Sequence, residues 1–419
     1  MISYRQALEV TLSHCAPGPV ETVSLLPALD RVLGEPLYAK LDSPRFDQAA
    51  VDGYALASAS AQGASDAAPV TLTIAGTSAA GGTAGAPLRH GEARLIYTGG
   101  PVPPGADAVV MLERAMGQDS LVTVKAPAAP GANIRRRGEE YAAGEALLPV
   151  GASMDPAALA LAAGQGLTEL SVHAMPRVAV ISTGDELTPQ GTPLPDTGIY
   201  DSNGPLLWAA LREAGIANPT AQACPDDPGR LKAMLQDALD THDVVLTAGG
   251  VSVGARDFVR PSLAEIGVVE QYWRVAMKPG KPVYFGVREA AGTGFGKKLV
   301  FGLPGNPSAC LLTYLILVLP ALRRLCGLTG PCLPMAKARL ATPFSGKRAG
   351  RTEWIPVTHA QTEDGAITCE PLRRRGSHMA SAPARASGFA CLEADQGPLA
   401  GDTPVAFLPL SYRLSPPSF

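Results

Sequence analysis

Three turns between residues 180 and 308 constrain this chain more than any other feature. Each follows an apolar run: Ser182-Thr183-Gly184-Asp185-Glu186-Leu187, Gly249-Gly250-Val251-Ser252-Val253-Gly254 and Leu303-Pro304-Gly305-Asn306-Pro307-Ser308. In an open α/β sheet, turns at the carboxyl ends of neighbouring strands converge on one crevice. Three such turns predict one ligand site, and free backbone amides at a helix start such as Asn306-Pro307 suit that site to an oxyanion.

The flanking pattern supports that sheet. Strands are expected at Arg177 to Ser182, Asp243 to Thr247 and Lys298 to Gly302. Asn203 is expected to cap a helix closed by Gly215, Asp226-Asp227-Pro228 to open a second, and Asn306-Pro307 to open a long apolar one. Near-continuous apolar strands alternating with helices argue a parallel-rich sheet in a three-layer αβα domain. The apolar run from Ala309 to Leu322 is too short to span a bilayer and reads as a buried helix, so no membrane is expected.

Ser3-Tyr4-Arg5-Gln6 fits a capping box for a first helix that ends near Pro17 and Gly18. Asp155-Pro156-Ala157 starts another, with Asp as N-cap and proline at the first helical position. Between them, runs such as Val70 to Ile74 and Ala106 to Val110, separated by Gly, Ala and Pro clusters, read as short strands with tight turns. The expected organisation is a discontinuous helical domain (1–40 and 141–176), an inserted β-rich domain (41–140) and an α/β domain (177–328). After Pro331-Cys332-Leu333-Pro334 helical periodicity is lost. Alternating segments at Glu353 to Val357 and Pro404 to Leu408 predict a terminal β-domain over 329–419.

Composition narrows the function. A net charge of −3, from 35 basic and 38 acidic side chains spread along 419 residues, gives no field for gripping nucleic acid. The opening MISYRQALEVTLSHC has neither a basic leader nor an apolar block, which makes the cytoplasm the expected compartment. The seven cysteines show no C-x-x-C pair and no histidine at metal spacing, so reduced, buried thiols are expected.

Met277-Lys278-Pro279-Gly280-Lys281-Pro282 places two ammonium groups around a Pro-Gly pair that favours a type II turn. Both can reach one phosphate or pyrophosphate, the alternative being a solvated loop. Carboxylates gather at the same predicted edge: Asp185, Glu186, Asp226, Asp227 and Asp257. Beside anion-binding turns they repel the ligand unless a hard cation such as Mg²⁺ intervenes, although one of Asp226 and Asp227 could simply cap its helix. Gly250-Val251-Ser252-Val253-Gly254 matches the G-x-S-x-G elbow of serine hydrolases, with His359 or His378 downstream. Two glycines precede it, however, and Arg256-Asp257 follow where an elbow runs straight into a helix. Gly292 to Lys297 lacks phosphate-loop spacing and reads as a hairpin loop. Arg135-Arg136-Arg137-Gly138-Glu139-Glu140 reads as a surface charge network or a subunit contact.

Segments in consistent order along nearly the whole chain resemble the MoeA/gephyrin type of molybdopterin molybdenumtransferase. They are Val51 to Ala55, Thr98 to Pro101, Pro104 to Val109, Ile134 to Glu140, Ser182 to Leu187, Ile199 to Asn203, Gly249 to Gly254, Lys278 to Pro282, Leu303 to Pro307, Gly350 to Glu353 and Gly376 to Met379. The resemblance implies four domains per subunit, with an α/β domain similar to the pterin adenylyltransferases and a C-terminal β-barrel. It also implies an elongated homodimer with its active cleft between subunits. Molybdate and adenylylated molybdopterin would be the substrates, AMP and molybdenum cofactor the products, Mg²⁺ the assisting ion, and a molybdopterin adenylyltransferase a candidate partner.

Catalytic roles are implied for Asp52, Glu186, Asp226, Asp257, Lys278 and Lys281, and metal ligation for Asp185, Glu186, Asp226 and Asp257. Substrate contacts are expected at Thr98, Thr183, Gly184, Gly250, Ser252, Pro304, Gly305, Asn306, Pro307 and Ser377, with Glu140 a further functional position. The chain departs from the family in several places. Gln48-Ala49-Ala50-Val51 replaces Asn-Ser-Ala-Met, Ala248 replaces a usual Ser, Glu140 replaces a common Asp, and the segment Arg375 to His378 is more positive. A tungstate-preferring enzyme of the same family and a gephyrin-like scaffold are the rival readings.

Overall fold

The computed structural model describes residues 1–251, 257–290, 294–347 and 349–411. Its contacts form two compact units: Met1–Glu35 with Pro149–Ala163 and Leu167–Phe419, and Pro36–Leu148 with Gly164–Gly166.

The first unit holds a six-stranded sheet in the order Thr220–Cys224, Val178–Thr183, Val244–Ala248, Lys297–Leu303, Tyr284–Glu289, Val269–Trp273. The first four strands are parallel, and the last two are added antiparallel. Every residue of Val178–Thr183 and Val244–Ala248 is buried. Alternate side chains feed different cores, Val178, Val180 and Leu246 on one face and Ala179, Ile181 and Val245 on the other. Coverage on both faces is why these strands read as unbroken apolar runs. Their register sets Ser182 beside Ala248 and Ala248 beside Leu303, so the three turns leave the sheet side by side.

The helix after Leu303 is longer than its apolar run. It spans Pro307–Leu325, 19 residues, enough by length and composition to cross a membrane, yet 94% of its most apolar window is buried inside the protein. It is a core helix. Tyr314–Val318 within it takes the wider π form. Pro320 lacks an N–H, and its ring crowds the carbonyl four residues back, that of Ile316, which the wider turn accommodates.

The C-terminal strands close on themselves. Thr352–Gln361 pairs with Ile367–Pro371 and with Gly388–Leu392, and the ring is completed through Ala336–Leu340 and Pro404–Pro409. This five-stranded barrel encloses Leu340, Ile355, Val357 and Phe407. The short strand Met277–Lys278 pairs with its Thr352 and Glu353, which ties the lysine turn to the barrel.

At the start of this unit, Ser3 and Gln6 form the expected capping box on a helix over Tyr4–Ser13, which stops short of Pro17. Asp155 caps Pro156–Gly164 by accepting the Ala158 N–H at 2.8 Å. A two-stranded sheet, Val20–Ser24 with Glu169–His173, accompanies these helices. The second unit is built on another six-stranded sheet, ordered Ala108–Met111, Gly53–Leu56, Glu92–Ile96, Val70–Ser78, Leu121–Val124, Ala115–Gln118. Its core includes Tyr54, Leu56, Leu72, Val110 and Val122. All seven cysteines are free and buried.

Candidate functional site

The three turns meet around a cavity of about 700 Å³ in the first unit. Of the sequence-expected residues, Thr183, Gly184, Glu186, Asp226, Gly250, Asp257, Pro304, Gly305, Asn306 and Pro307 line it. A second cavity of about 430 Å³ is lined by Lys278, Lys281 and Ser377, with Arg351, Glu353 and Arg375. Pro282, Pro304 and Asn306 belong to both, so they form a shared wall. Ser252 lies outside the described residues, as does the rest of 252–256.

Close packing explains the glycines of the turns. A Cβ on Gly184 would lie 2.6 Å from the Glu186 carboxylate, and one on Gly249 would lie 2.7 Å from the Thr183 carbonyl. Asn203 is not the cap of its helix. The Asp201 carboxylate accepts the N–H groups of Asn203 and Gly204, both at 3.0 Å. The Asn203 amide instead reaches the Gly305 carbonyl at 2.7 Å, joining two of the ligand-facing segments. Asp227 caps Pro228–Thr241 by accepting the Arg230 N–H at 2.6 Å, whereas its neighbour Asp226 faces the cavity. Asp185 does not line the cavity, and its carboxylate accepts the Asp226 N–H at 2.9 Å, bracing that loop. At the third turn, the Ser308 N–H is taken by the Ser377 carbonyl at 3.2 Å, and the Asn306 side chain donates to the Ser377 hydroxyl at 3.3 Å rather than capping. The Gly305 and Asn306 amides have no acceptor among the described residues.

Charge is segregated between the cavities. Among the described residues, Glu186, Asp201, Asp226 and Asp257 line the larger one, with His378 and no lysine or arginine. The smaller one carries, among the described residues, four cationic side chains and one acid, Glu353. Glu353 is mostly buried and pairs with the Lys278 ammonium at 2.9 Å. The Lys281 ammonium has no partner among the described residues and supplies uncompensated charge. Gly280 takes φ of 96°, a left-handed backbone conformation that glycine adopts readily, and the Lys278–Pro279 bond before it is cis. The side-chain oxygens of Ser182, Thr183 and Asn203, all lining the acidic cavity, are buried without a hydrogen-bond partner among the described residues. Buried polar atoms seldom stay unpaired, so such a cluster points to a ligand.

Family models for the MoeA N-terminal region (domain I and II), a probable molybdopterin binding domain and the MoeA C-terminal region (domain IV) match residues 2–166, 179–324 and 337–410. A molybdopterin molybdenumtransferase from Haemophilus influenzae is 33% identical over 399 residues, covering 95% of this chain and 96% of the relative. The chain belongs to the MoeA family of molybdopterin molybdenumtransferases. Molybdopterin molybdenumtransferase 2 from Mycobacterium tuberculosis is 39% identical over 337 residues, covering 79% of this chain and 81% of the relative. Among solved structures, a molybdopterin biosynthesis MoeA protein from Pyrococcus horikoshii superposes with a TM-score of 0.81 at 27% identity, covering 98% of this chain and all (100%) of that one.

Within this MoeA-family chain, Asp201, Arg351 and Arg375 line the cavities although the sequence assigned them no role, and Trp273 braces one of the turns. The first three could have been found in the matched or flanking motifs, but Trp273 gave no signal. Its indole N–H donates to the Val251 carbonyl at 3.0 Å, holding the end of the Gly249-Gly250 turn. Its ring lies between the guanidinium groups of Arg260 and Arg274, 3.7 and 3.9 Å from the centroid. In the second unit, considered by itself, the Thr98 N–H and hydroxyl both donate to one Asp52 oxygen, at 2.7 and 2.8 Å. These bonds, the backbone one foremost, hold the Asp52 carboxyl below the usual carboxylate range. Glu140 accepts from the Ser43 hydroxyl at 2.6 Å. The run from Arg135 to Glu140 forms a surface network, with Arg136 on Asp47 at 2.6 Å and Arg137 on Asp42.

Proposed function

We propose that this chain inserts molybdate into adenylylated molybdopterin, releasing AMP and forming molybdenum cofactor. The observation that carries the reading is the pair of adjoining cavities of opposite charge. A tetrahedral oxyanion suits the cationic chamber, where Lys281, Arg351 and Arg375 offer positive charge beside the Asn306 amide. A pyrophosphate lodged among carboxylates needs a counter-ion.

Among the described residues no three His, Cys, Asp or Glu side chains are grouped as a ready metal cage. Mg²⁺ suits such a place, because it commonly binds one or two carboxylates and completes its shell with water and substrate phosphates. Glu186, Asp226 and Asp257 are the residues that would hold it, with the orphaned hydroxyls of Ser182 and Thr183 within the same wall. When bound, the ion supplies neutralisation of the phosphoanhydride charge. A lining carboxylate then accepts the proton of the attacking water as the phosphoanhydride bond opens and AMP departs. The reading includes the four-domain division, a cytoplasmic homodimer, a supplying adenylyltransferase, and Asp52, Thr98 and Glu140 as functional residues of the second unit.

The test supplies purified chain with adenylylated pterin and an oxyanion, with and without Mg²⁺, and follows AMP. Release that needs both oxyanion and divalent ion is expected, and Glu186→Ala should abolish it. No AMP under any condition overturns the transferase reading and leaves the scaffold. Faster release with tungstate than with molybdate identifies the tungstate-preferring version.

A further inference from the structure

A third cavity, a groove of about 650 Å³, opens beside the acidic one and shares Leu187 and Asp201 with it. One wall carries Pro205 and Trp208, from the helix Asn203–Glu213, and the other carries Ala221, Gln222 and Ala223. Trp208 is 42% exposed, and its one ring contact among the described residues is the Arg212 guanidinium, 5.9 Å from the centroid. The strand Thr220–Cys224 is the edge of its sheet and pairs on one side only. Its outer row of backbone N–H and C=O groups therefore has no strand partner. An aromatic face opposite a row of donors and acceptors suits a flat heterocycle that stacks and hydrogen-bonds along its edge.

The three cavities lie in sequence. The acidic chamber shares a wall with the cationic chamber and another with the groove, while groove and cationic chamber share no lining residue. The substrate of the proposed reaction has the same order. Its dithiolene must meet the oxyanion, its pyrophosphate follows, and its adenosine is the far end. We infer that the Trp208 groove binds the adenine base of the adenylylated substrate, stacked on the indole and read by the edge strand. This inference rests on the proposed reaction for the identity of the base.

Calorimetric titration of the full chain with AMP and with ribose 5-phosphate isolates the contribution of the base. AMP is expected to bind about tenfold or more tightly than ribose 5-phosphate, a ratio typical of one stacked base. Trp208→Ala should erase that ratio, and Trp208→Phe, which keeps an aromatic face, should retain most of it. Trp208 is exposed, so unchanged circular dichroism is expected for both variants. A full ratio in Trp208→Ala, no ratio in the wild type, or displacement from the groove by 6-hydroxymethylpterin but not by AMP overturns the assignment. Wild type that releases AMP from adenylylated pterin without any preference for the base sinks the groove alone. Wild type that shows the base preference but never turns over sinks the reaction and leaves the base site standing.

Discussion

Asp226 and Asp227 are neighbours in the chain with different tasks, and their backbone decides which has which. The Asp227 carboxylate is committed to the Arg230 N–H, while Asp226 lines the acidic cavity. Asp227→Ala should cost about 1 kcal/mol of stability, the usual value of a lost cap, and leave AMP release close to wild type. Asp226→Ala should do the reverse, losing at least about tenfold in turnover with stability inside roughly 0.5 kcal/mol of wild type. Urea unfolding and AMP release on both variants check the pair, and matching effects in the two would contradict the division. Sequence left this choice open because either aspartate can precede Pro228, and only the direction of the loop separates them. Trp273 was beyond reading for a different reason. Its partner is a backbone carbonyl, that of Val251, which has no side-chain signature. Trp273→Phe keeps a ring between Arg260 and Arg274 but removes the donor. It should raise KM for the adenylylated pterin about tenfold while kcat and the unfolding midpoint stay near wild type, because Gly249 and Gly250 of the turn it holds line the acidic cavity. A proportional fall in kcat and stability would mark Trp273 as a packing residue only.

At the scale of elements, the sheet was legible where both faces are covered and obscure where one residue type hides its partner. Val178–Thr183, Val244–Ala248 and Lys297–Leu303 stand out as apolar runs, and Tyr284–Glu289 pairs antiparallel with Lys297–Leu303, although the loop expected at Gly292 to Lys297 lies partly outside the described residues. Barrel closure was implied by the family resemblance but not by the strand pattern, because Gly388–Leu392, which seals it, is buried at every position and lacks alternation. Nor was the clamp at the opposite end of the sheet from the cavity. There the Asp243 carboxylate accepts from the Arg177 backbone N–H at 3.0 Å, the Arg177 guanidinium at 3.1 Å and the buried Lys298 ammonium at 3.1 Å. Burial alone would raise the Asp243 carboxyl, but the bonds from Arg177 and Lys298 outweigh it and hold the group below its usual range. A depressed folded value stabilises the protein above the unfolded value near 3.9, and that contribution is lost as pH falls through the folded value. Asp243→Asn strands Lys298 in the interior and should cost about 3 kcal/mol or more at neutral pH. Urea titrations should show the deficit shrinking as pH drops below about 4, where wild-type Asp243 also loses its charge. A deficit that stays constant with pH would mean the carboxylate charge is not what the clamp uses.

For the whole molecule, a net charge of −3 conceals the feature that matters, the separation of acids and bases into adjoining chambers. The acid cluster and the lysine pair were both legible as local motifs, since each gathers within a few residues of a turn. Their separation was not, because Lys278 and Glu353 stand 75 positions apart and meet only when the short strand Met277–Lys278 docks on the barrel. That ion pair means the two lysines are not equivalent. Removing Lys281 subtracts a free charge, whereas removing Lys278 also leaves the mostly buried Glu353 carboxylate unpaired in the wall of the cationic chamber. Lys278→Ala should therefore weaken molybdate binding more than Lys281→Ala does, by a further factor of about ten. Adding Glu353→Gln to Lys278→Ala restores the net charge of the chamber and should recover most of the loss, even though the lysine is still missing. Equilibrium dialysis with molybdate at low and high salt reads the effect, and the differences should narrow as ionic strength rises. If the double variant binds no better than Lys278→Ala alone, the lysine acts through a direct contact with the oxyanion. The charge of the chamber as a whole would then not be what selects the ligand.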